Sequence, residues 1–170
     1  MPKNYSEIKD ATGVVYAFPR PSASDLETFY ANQYYQKPPV TYKAEYPDEE
    51  LNYYDNLAKV AEHIFLQYNE RKCLLDLGCG EGYFSKYFSE IGWENLCVDF
   101  SSFGLINHNQ ELEQNFRQGD IIQVLENLII ENKKFGHANL QNVLEHVLDP
   151  NKMLDLIASV LDDEGVLRIR

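Results

Sequence analysis

Three glycines, Gly78, Gly80 and Gly82, and one acid, Asp99, have the types and spacing to do chemistry in this chain. The glycines follow directly on Cys73-Leu74-Leu75-Asp76-Leu77, a run that reads as a buried strand. A turn that leaves such a strand and enters a helix passes close to whatever lies over the strand's C-terminal edge. Side chains on that turn would push a ligand away, and its backbone can need positive φ, so glycine suits it. The helix start that follows offers unpaired N–H groups and a positive dipole end to a polar or negative group. Asp99 closes a second apolar run, Leu96 to Asp99. In a doubly wound sheet an acid there lies beside the turn, within reach of ribose hydroxyls. Turn and acid together imply a nucleoside-containing ligand.

The spacing narrows the choice of nucleoside. A dinucleotide fingerprint wants glycines at relative positions one, three and six, the last for close helix–strand packing. Here Tyr83 stands at the sixth position, which counts against a nicotinamide dinucleotide. A phosphate-binding loop is not matched either, since Gly82 is followed by Tyr83-Phe84 rather than by Lys and Ser or Thr.

The stretch LLDLGCGEGYFSKYF resembles the first motif of the class I S-adenosylmethionine-dependent methyltransferases, and CVDFS resembles their second. NVLEHVLDP and LDDEGVLRI are similar to the segments around the fourth and fifth strands in the subgroup of ubiquinone-biosynthesis-type, small-molecule and glycan methyltransferases. The resemblance runs from about Cys73 to Arg170. It implies an α/β fold, a Rossmann-like parallel sheet of the class I methyltransferase type, with S-adenosyl-L-methionine as cofactor and S-adenosyl-L-homocysteine as product.

The same resemblance assigns residues. Gly78, Cys79, Gly80 and Gly82 would lie against the methionine part of the cofactor, and Asp76 would orient the turn or receive the ammonium through water. Asp99 would accept the ribose hydroxyls, Phe100 would lie against adenine, and Gly119 and Asp120 would stand at the adenine amino group. Asp120 reads also as a helix cap. Asn142 to His146 would come nearest the transferred methyl, Asn142 on the cofactor side and Glu145 and His146 as catalytic residues. Some relatives carry an acid-x-x-Glu-His pattern associated with a divalent metal. Asn142 replaces the first acid here, so no metal is expected. His63, His108 and His137 read as surface or packing residues.

These residues need a scaffold of alternating strands and helices. A helix with Phe84, Phe88 and Ile91 on one face follows the turn. A further helix is expected from Ser101 or Ser102 to about Glu111, a short strand over Asn115 to Gln118, and a helix over 121 to 127. A strand lies within Lys133 to Leu140. Asp149-Pro150 opens a helix with acid at the cap and proline in the first turn, its buried stripe Leu154, Ile157 and Leu161. Asp163-Glu164-Gly165 turns the chain into a last strand, Val166 to Ile169. Such alternation argues for a parallel sheet with crossovers. About five strands fit, whereas the resembled fold continues through a further helix and an antiparallel pair, so a C-terminally truncated sheet is expected.

Residues 1–69 read as an N-terminal loop and helical cap segment, and 70–170 as the cofactor-binding core. Val14 to Phe18 is a short strand, Ser24-Asp25-Leu26-Glu27 a capping box opening a helix to about Tyr34, and a helix of about five turns begins at Asp48. Its stripe is Leu51, Tyr54, Leu57 or Ala58, Ala61, Ile64 or Phe65, and Tyr68. Seven of the twelve tyrosines lie between Tyr30 and Tyr54. They read as packing residues, or as the acceptor wall, with Tyr30, Tyr34, Tyr35 and Tyr42 its substrate-binding candidates.

A formal charge of −12 leaves no basic surplus to neutralise phosphates, so nucleic acid is not an expected partner and a small, neutral or locally recognised substrate suits the balance better; the resemblance implies a small-molecule or glycan one. Cys73, Cys79 and Cys97 have no metal-ligand spacing and read as structural thiols of a reducing cytoplasm. There is no apolar run long enough to span a membrane and no signal-peptide core at the start. Three activities remain to be weighed: methyl transfer to a small acceptor at oxygen, a nicotinamide-dependent oxidoreductase, and a non-catalytic nucleoside-binding or scaffold domain.

Overall fold

The structure, a computed structural model, describes residues 6–11, 13, 15–19, 21, 22, 24, 25 and 45–170. The chain forms two compact units, residues 1–43 and 44–170.

In the first unit, β1 (Ser6–Lys9) pairs antiparallel with β2 (Val15–Phe18), Ser6 opposite Phe18 and Lys9 opposite Val15. The sequence showed only the second of these strands. β1 is exposed along its whole length, so it carries no alternation of apolar and polar residues to read. The expected capping box lies two residues earlier. Ser22 N–H donates to Asp25 Oδ2 at 2.9 Å, and Asp25 N–H donates back to Ser22 Oγ at 3.2 Å. The remainder of the expected helix, and Tyr30, Tyr34, Tyr35 and Tyr42, lie outside the described residues.

The second unit runs α1 (Asp48–Tyr68), β3 (Cys73–Leu77), α2 (Tyr83–Glu90), β4 (Glu94–Asp99), α3 (Phe103–His108), a 3-10 turn (Gln110–Asn115), β5 (Phe116–Gln118), α4 (Ile121–Ile130), β6 (Phe135–Leu140), a 3-10 turn (Leu144–His146), α5 (Pro150–Val160) and β7 (Leu161–Ile169). Its sheet has five strands in the order β5-β4-β3-β6-β7, every pair parallel. From central β3 the chain steps outward through β4 and β5, then crosses to β6 and β7 on the other side. That reversal opens a crevice at the C-terminal ends of β3, β4 and β6, where ligands bind in sheets of this kind.

Alternation along β3 builds two layers. Cys73, Leu75 and Leu77 face Val124, Leu125, Leu128, Met153, Ile157 and Val160 of α4 and α5. Leu74 faces Ala58, Ala61 and Phe65 of α1 together with Phe84, Phe88 and Trp93. Burying a side chain such as Phe88, fully enclosed here, is worth about 1.5–3 kcal/mol. α1, grouped by sequence with the N-terminal segment, therefore packs on the sheet. Asp48, Glu49 and Glu50 fill its first turn, where the dipole favours acids.

Several faces differ from the periodicity. In α1, Ala58, Ala61 and Phe65 are buried, while Ile64 and Tyr68 are exposed. Ile91 is the C-cap of α2 and exposed, because the helix stops one residue short of it. α5 buries Met153, Ile157 and Val160, and Leu161 begins β7. β7 starts earlier than expected, with Phe135 opposite Leu161 and His137 opposite Val166. The turn residues Asp163 to Gly165 are accommodated as an irregularity between those two pairs. α3 ends at His108 rather than near Glu111, and buried Asn109 turns the chain there. Among the described residues no helix is long and apolar enough to cross a membrane.

Candidate functional site

The turn after β3 is pinned from four directions. Gly78 and Cys79 N–H donate to the Val98 carbonyl at 2.8 and 3.1 Å, and Gly82 N–H donates to the Cys79 carbonyl at 2.9 Å. Gly80 N–H donates to Asp99 Oδ2 at 3.0 Å, and Asn109 Nδ2 donates to the Glu81 carbonyl at 2.7 Å. Gly78 and Gly80 have φ of +75° and +56°, a region L side chains rarely adopt. Their surroundings differ. A Cβ on Gly78 would lie 2.3 Å from Val143 Cγ2, whereas one on Gly80 would meet nothing within 4 Å among the described residues. A Cβ on Gly82 would lie 3.2 Å from Leu112 and 3.4 Å from Leu105. Gly78 and Gly82 thus pack closely on their neighbours, and of the three turn glycines Gly80 is the one with open space beside it among the described residues.

Asp99 is buried at the end of β4, and its second oxygen accepts Ser101 N–H at 3.1 Å. An ionised carboxylate has about four acceptor sites, enough for these bonds and a ligand hydroxyl. Beyond it, the rings of Phe100 and Phe103 are about half exposed. Gly119 N–H donates to the Asp99 carbonyl at 2.9 Å, which sets the end of β5 beside that of β4. Asp120 is the N-cap of α4, accepting Gln123 N–H at 3.0 Å.

Asp76 is 1% exposed and bonded at both oxygens: Ser85 Oγ donates to Oδ2 and Asn139 Nδ2 to Oδ1, each at 2.7 Å. Burial pushes its carboxyl above the usual range, against the pull of those two bonds and of Arg168. Cys79, partly buried, packs against Cys97, Leu105 and Leu112. A hydrogen bond with Cys97, then burial, drives it well above an ordinary thiol.

After β6, Asn142 sits at φ +54°, and its N–H donates to the Arg170 carbonyl at 2.8 Å. A non-glycine residue held there stores about 1–3 kcal/mol, and such residues gather at functional sites. Val143 reaches Gly78, and the next turn carries Glu145 and His146, both half exposed, with His146 Nε2 3.8 Å from Glu145 Oε1. No group of three His, Cys, Asp or Glu among the described residues could hold a metal.

The structure therefore gathers Asp76, Gly78, Cys79, Gly80, Gly82, Asp99, Phe100, Gly119, Asp120 and Asn142 at one edge of the sheet, with Glu145 and His146 on the adjoining turn. It also brings in residues the sequence did not assign to a site. Tyr46 donates its hydroxyl to Glu81 of the glycine turn. Tyr83 bonds His108 Nδ1 at 3.1 Å and stacks on Tyr54 at 5.4 Å between centroids. The tyrosine richness before α1 was the one signal for this cluster. Asn109, Asn139 and Arg168 left none, because their roles depend on tertiary pairing. A shallow depression lined by Asn69, Lys134, Asp162, Asp163 and Glu164 lies at the opposite rim, where the strands begin, and Asp162 there is already paired with Arg71.

The family model for a methyltransferase domain matches residues 48–170. A ubiquinone biosynthesis O-methyltransferase of Glaesserella parasuis serovar 5 (strain SH0165) is 28% identical over 104 residues, covering 58% of this chain and 44% of that protein. The chain thus spans less than half the length of that relative. Among solved structures, an S-adenosylmethionine-dependent methyltransferase from Clostridium acetobutylicum ATCC 824 superposes with a TM-score of 0.57 at 19% identity, over 68% of this chain and 49% of that one. The plantazolicin methyltransferase BpumL, solved in complex with SAH, gives 0.56 at 18% identity over 85% and 56%. At these identities the two structures establish the fold.

Proposed function

The chain belongs to the class I S-adenosylmethionine-dependent methyltransferase family, and from that premise we propose that residues 45–170 bind S-adenosylmethionine in the crevice over Gly80 and serve methyl transfer to a small-molecule or glycan oxygen. The observation that carries this reading is the Asp99 carboxylate turned onto the Gly80 N–H beneath an open face. The residues present fit the cofactor: a side-chain-free approach for the amino-acid tail, an acid for a ribose diol, and exposed Phe100 and Phe103 for a flat base. The oxygen acceptor is supported by the O-methyltransferase likeness, which spans 44% of that relative.

When bound, the cofactor supplies a methyl on a sulfonium, open to in-line displacement. The chain's part is positioning, which supplies much of the rate in such transfers. Asp99 and the turn fix the nucleoside, and the Asn142–His146 segment borders the reacting end. A hydroxyl acceptor must lose a proton, and His146 is the base we assign, its imidazole accepting that proton with the Glu145 carboxylate nearby to offset the imidazolium. Three free thiols among the described residues fit our placement of the protein in the reducing cytoplasm.

Parallel calorimetric titrations with S-adenosylhomocysteine and with NAD test the reading. Micromolar binding of the first alone supports it, binding of NAD alone would turn it into an oxidoreductase, and binding of neither would leave a scaffold domain.

A further inference from the structure

One buried chain of polar groups is not used by that account. Asn139, 2% exposed on β6, donates its amide N–H to Asp76 at 2.7 Å, and its amide oxygen accepts Arg168 Nη1 at 2.5 Å. The amide lies between an anion and a cation, so its orientation is fixed: flipping it would set NH2 against the guanidinium. Arg168 is itself held in place. It donates to Gln141 Oε1 at 3.2 Å, and its guanidinium carbon lies 5.1 Å from the centroid of the Phe84 ring. The relay thus crosses β3, β6, β7 and α2, and it ends on a carboxylate two residues before Gly78.

We propose that Arg168 is a positioning residue for cofactor binding: acting through Asn139, it keeps the Asp76 carboxylate oriented and anionic beside the glycine turn, where that charge offsets the ammonium of the cofactor's amino-acid tail. The proposal rests on the nucleoside-binding reading above. Its electrostatics follow from who faces whom. Burial opposes charge on Asp76, Asp99 from β4 opposes it further, and Ser85 from α2 contributes only a neutral hydroxyl. The cation acting on Asp76 is Arg168 from β7, which in turn faces Arg170 and the Tyr53 hydroxyl of α1. Without it, a fully enclosed carboxylate keeps its hydrogen bonds and loses its counter-charge, so it takes up a proton at higher pH.

The test compares wild type, Arg168→Gln and Arg168→Lys in calorimetric titrations with two probes, S-adenosylhomocysteine and 5′-methylthioadenosine. The second probe keeps the nucleoside and thioether and lacks the amino-acid tail. Arg168→Gln should bind S-adenosylhomocysteine roughly tenfold more weakly at about pH 6, with a smaller loss at about pH 8, because a carboxyl left without its counter-charge is protonated more readily as pH falls. Its affinity for 5′-methylthioadenosine should be unchanged, and Arg168→Lys should restore the wild-type profile. Equal affinity in wild type and Arg168→Gln at every pH overturns the proposal, as does an equal loss for both probes, which marks a merely structural arginine. A ligand-free readout stands beside it: the melting temperature lost in Arg168→Gln should shrink as pH falls, because a protonated Asp76 no longer needs the cation, and a loss independent of pH again overturns it. Wild type that binds neither probe would instead remove the nucleoside-binding reading on which the proposal stands.

Discussion

Asp99 joins two strands' ends through a single side chain: one oxygen holds the Gly80 N–H at 3.0 Å and the other the Ser101 N–H at 3.1 Å. The acid that the ligand's sugar would meet is therefore also the clamp on the turn that its tail would meet. Asp99→Asn sets an NH2 group against a backbone N–H on one side. Hydrogen bonds to charged groups are worth about 1.5–3 kcal/mol, so S-adenosylhomocysteine should bind roughly ten- to a hundredfold more weakly by calorimetry. An unchanged affinity would remove Asp99 from the site.

Gly78 and Gly80 should respond to alanine to different degrees. Gly80→Ala meets open space, so its stability cost is confined to the left-handed backbone, about 1–2 kcal/mol, while ligand affinity falls. Gly78→Ala carries that cost and a collision with Val143 as well. Urea unfolding should show the larger loss for Gly78→Ala, with a coupling of about 0.5–3 kcal/mol recovered in the double variant with Val143→Ala. Additive behaviour of that pair would mean the close contact is not felt.

His137 makes stability acid-sensitive. Its ring is fully buried, stacked 4.5 Å from the Phe65 ring and tilted 5.1 Å from that of Trp93. Burial lowers its pKa below the ordinary 6.5, while the nearby Asn69 and Arg71 backbone and Asp162 act the other way. The unfolded chain then binds the proton more readily than the folded one, so stability is whole above about pH 6.5 and drains as pH falls toward the lowered folded value. The urea midpoint of wild type should drop between about pH 7 and pH 5.5, and His137→Phe should flatten that slope. Parallel slopes would show that other groups set it.

The thiols should be inert in the folded protein. Cys73 and Cys97 are buried, burial raises the Cys73 thiol, and Cys79 is raised by its bond to Cys97 and by burial. Because the thiolate is the reactive form, a chromogenic disulfide should titrate all three only after denaturant is added. Fast labelling of Cys79 in the native state would contradict the packing described for it.

What the sequence revealed was local. Cys73–Leu77 is the strand its apolar run predicts, Asp149 caps α5 ahead of Pro150, and Asp99 meets the glycine turn as expected of an acid ending the neighbouring strand. What it hid was set by pairing. Asn139 reaches Asp76 and Arg168 only because β6 lies between β3 and β7 in one register, and no spacing within a strand encodes that. Asn109 is a similar case: its side chain locks Glu81 because α3 stops early beside the turn. Choosing Ala58 over Leu57 and Phe65 over Ile64 likewise needed the helix seated on the sheet, since either choice satisfies the period.

The sequence holds one tryptophan, Trp93, and it is wedged between Phe65, Phe88 and His137 at the rim where β4 begins. Its ultraviolet emission is consequently a built-in gauge of whether α1 stays seated. Filling the crevice at the far end of the strands should leave that signal dark to the event, so the two processes can be followed separately in one cuvette.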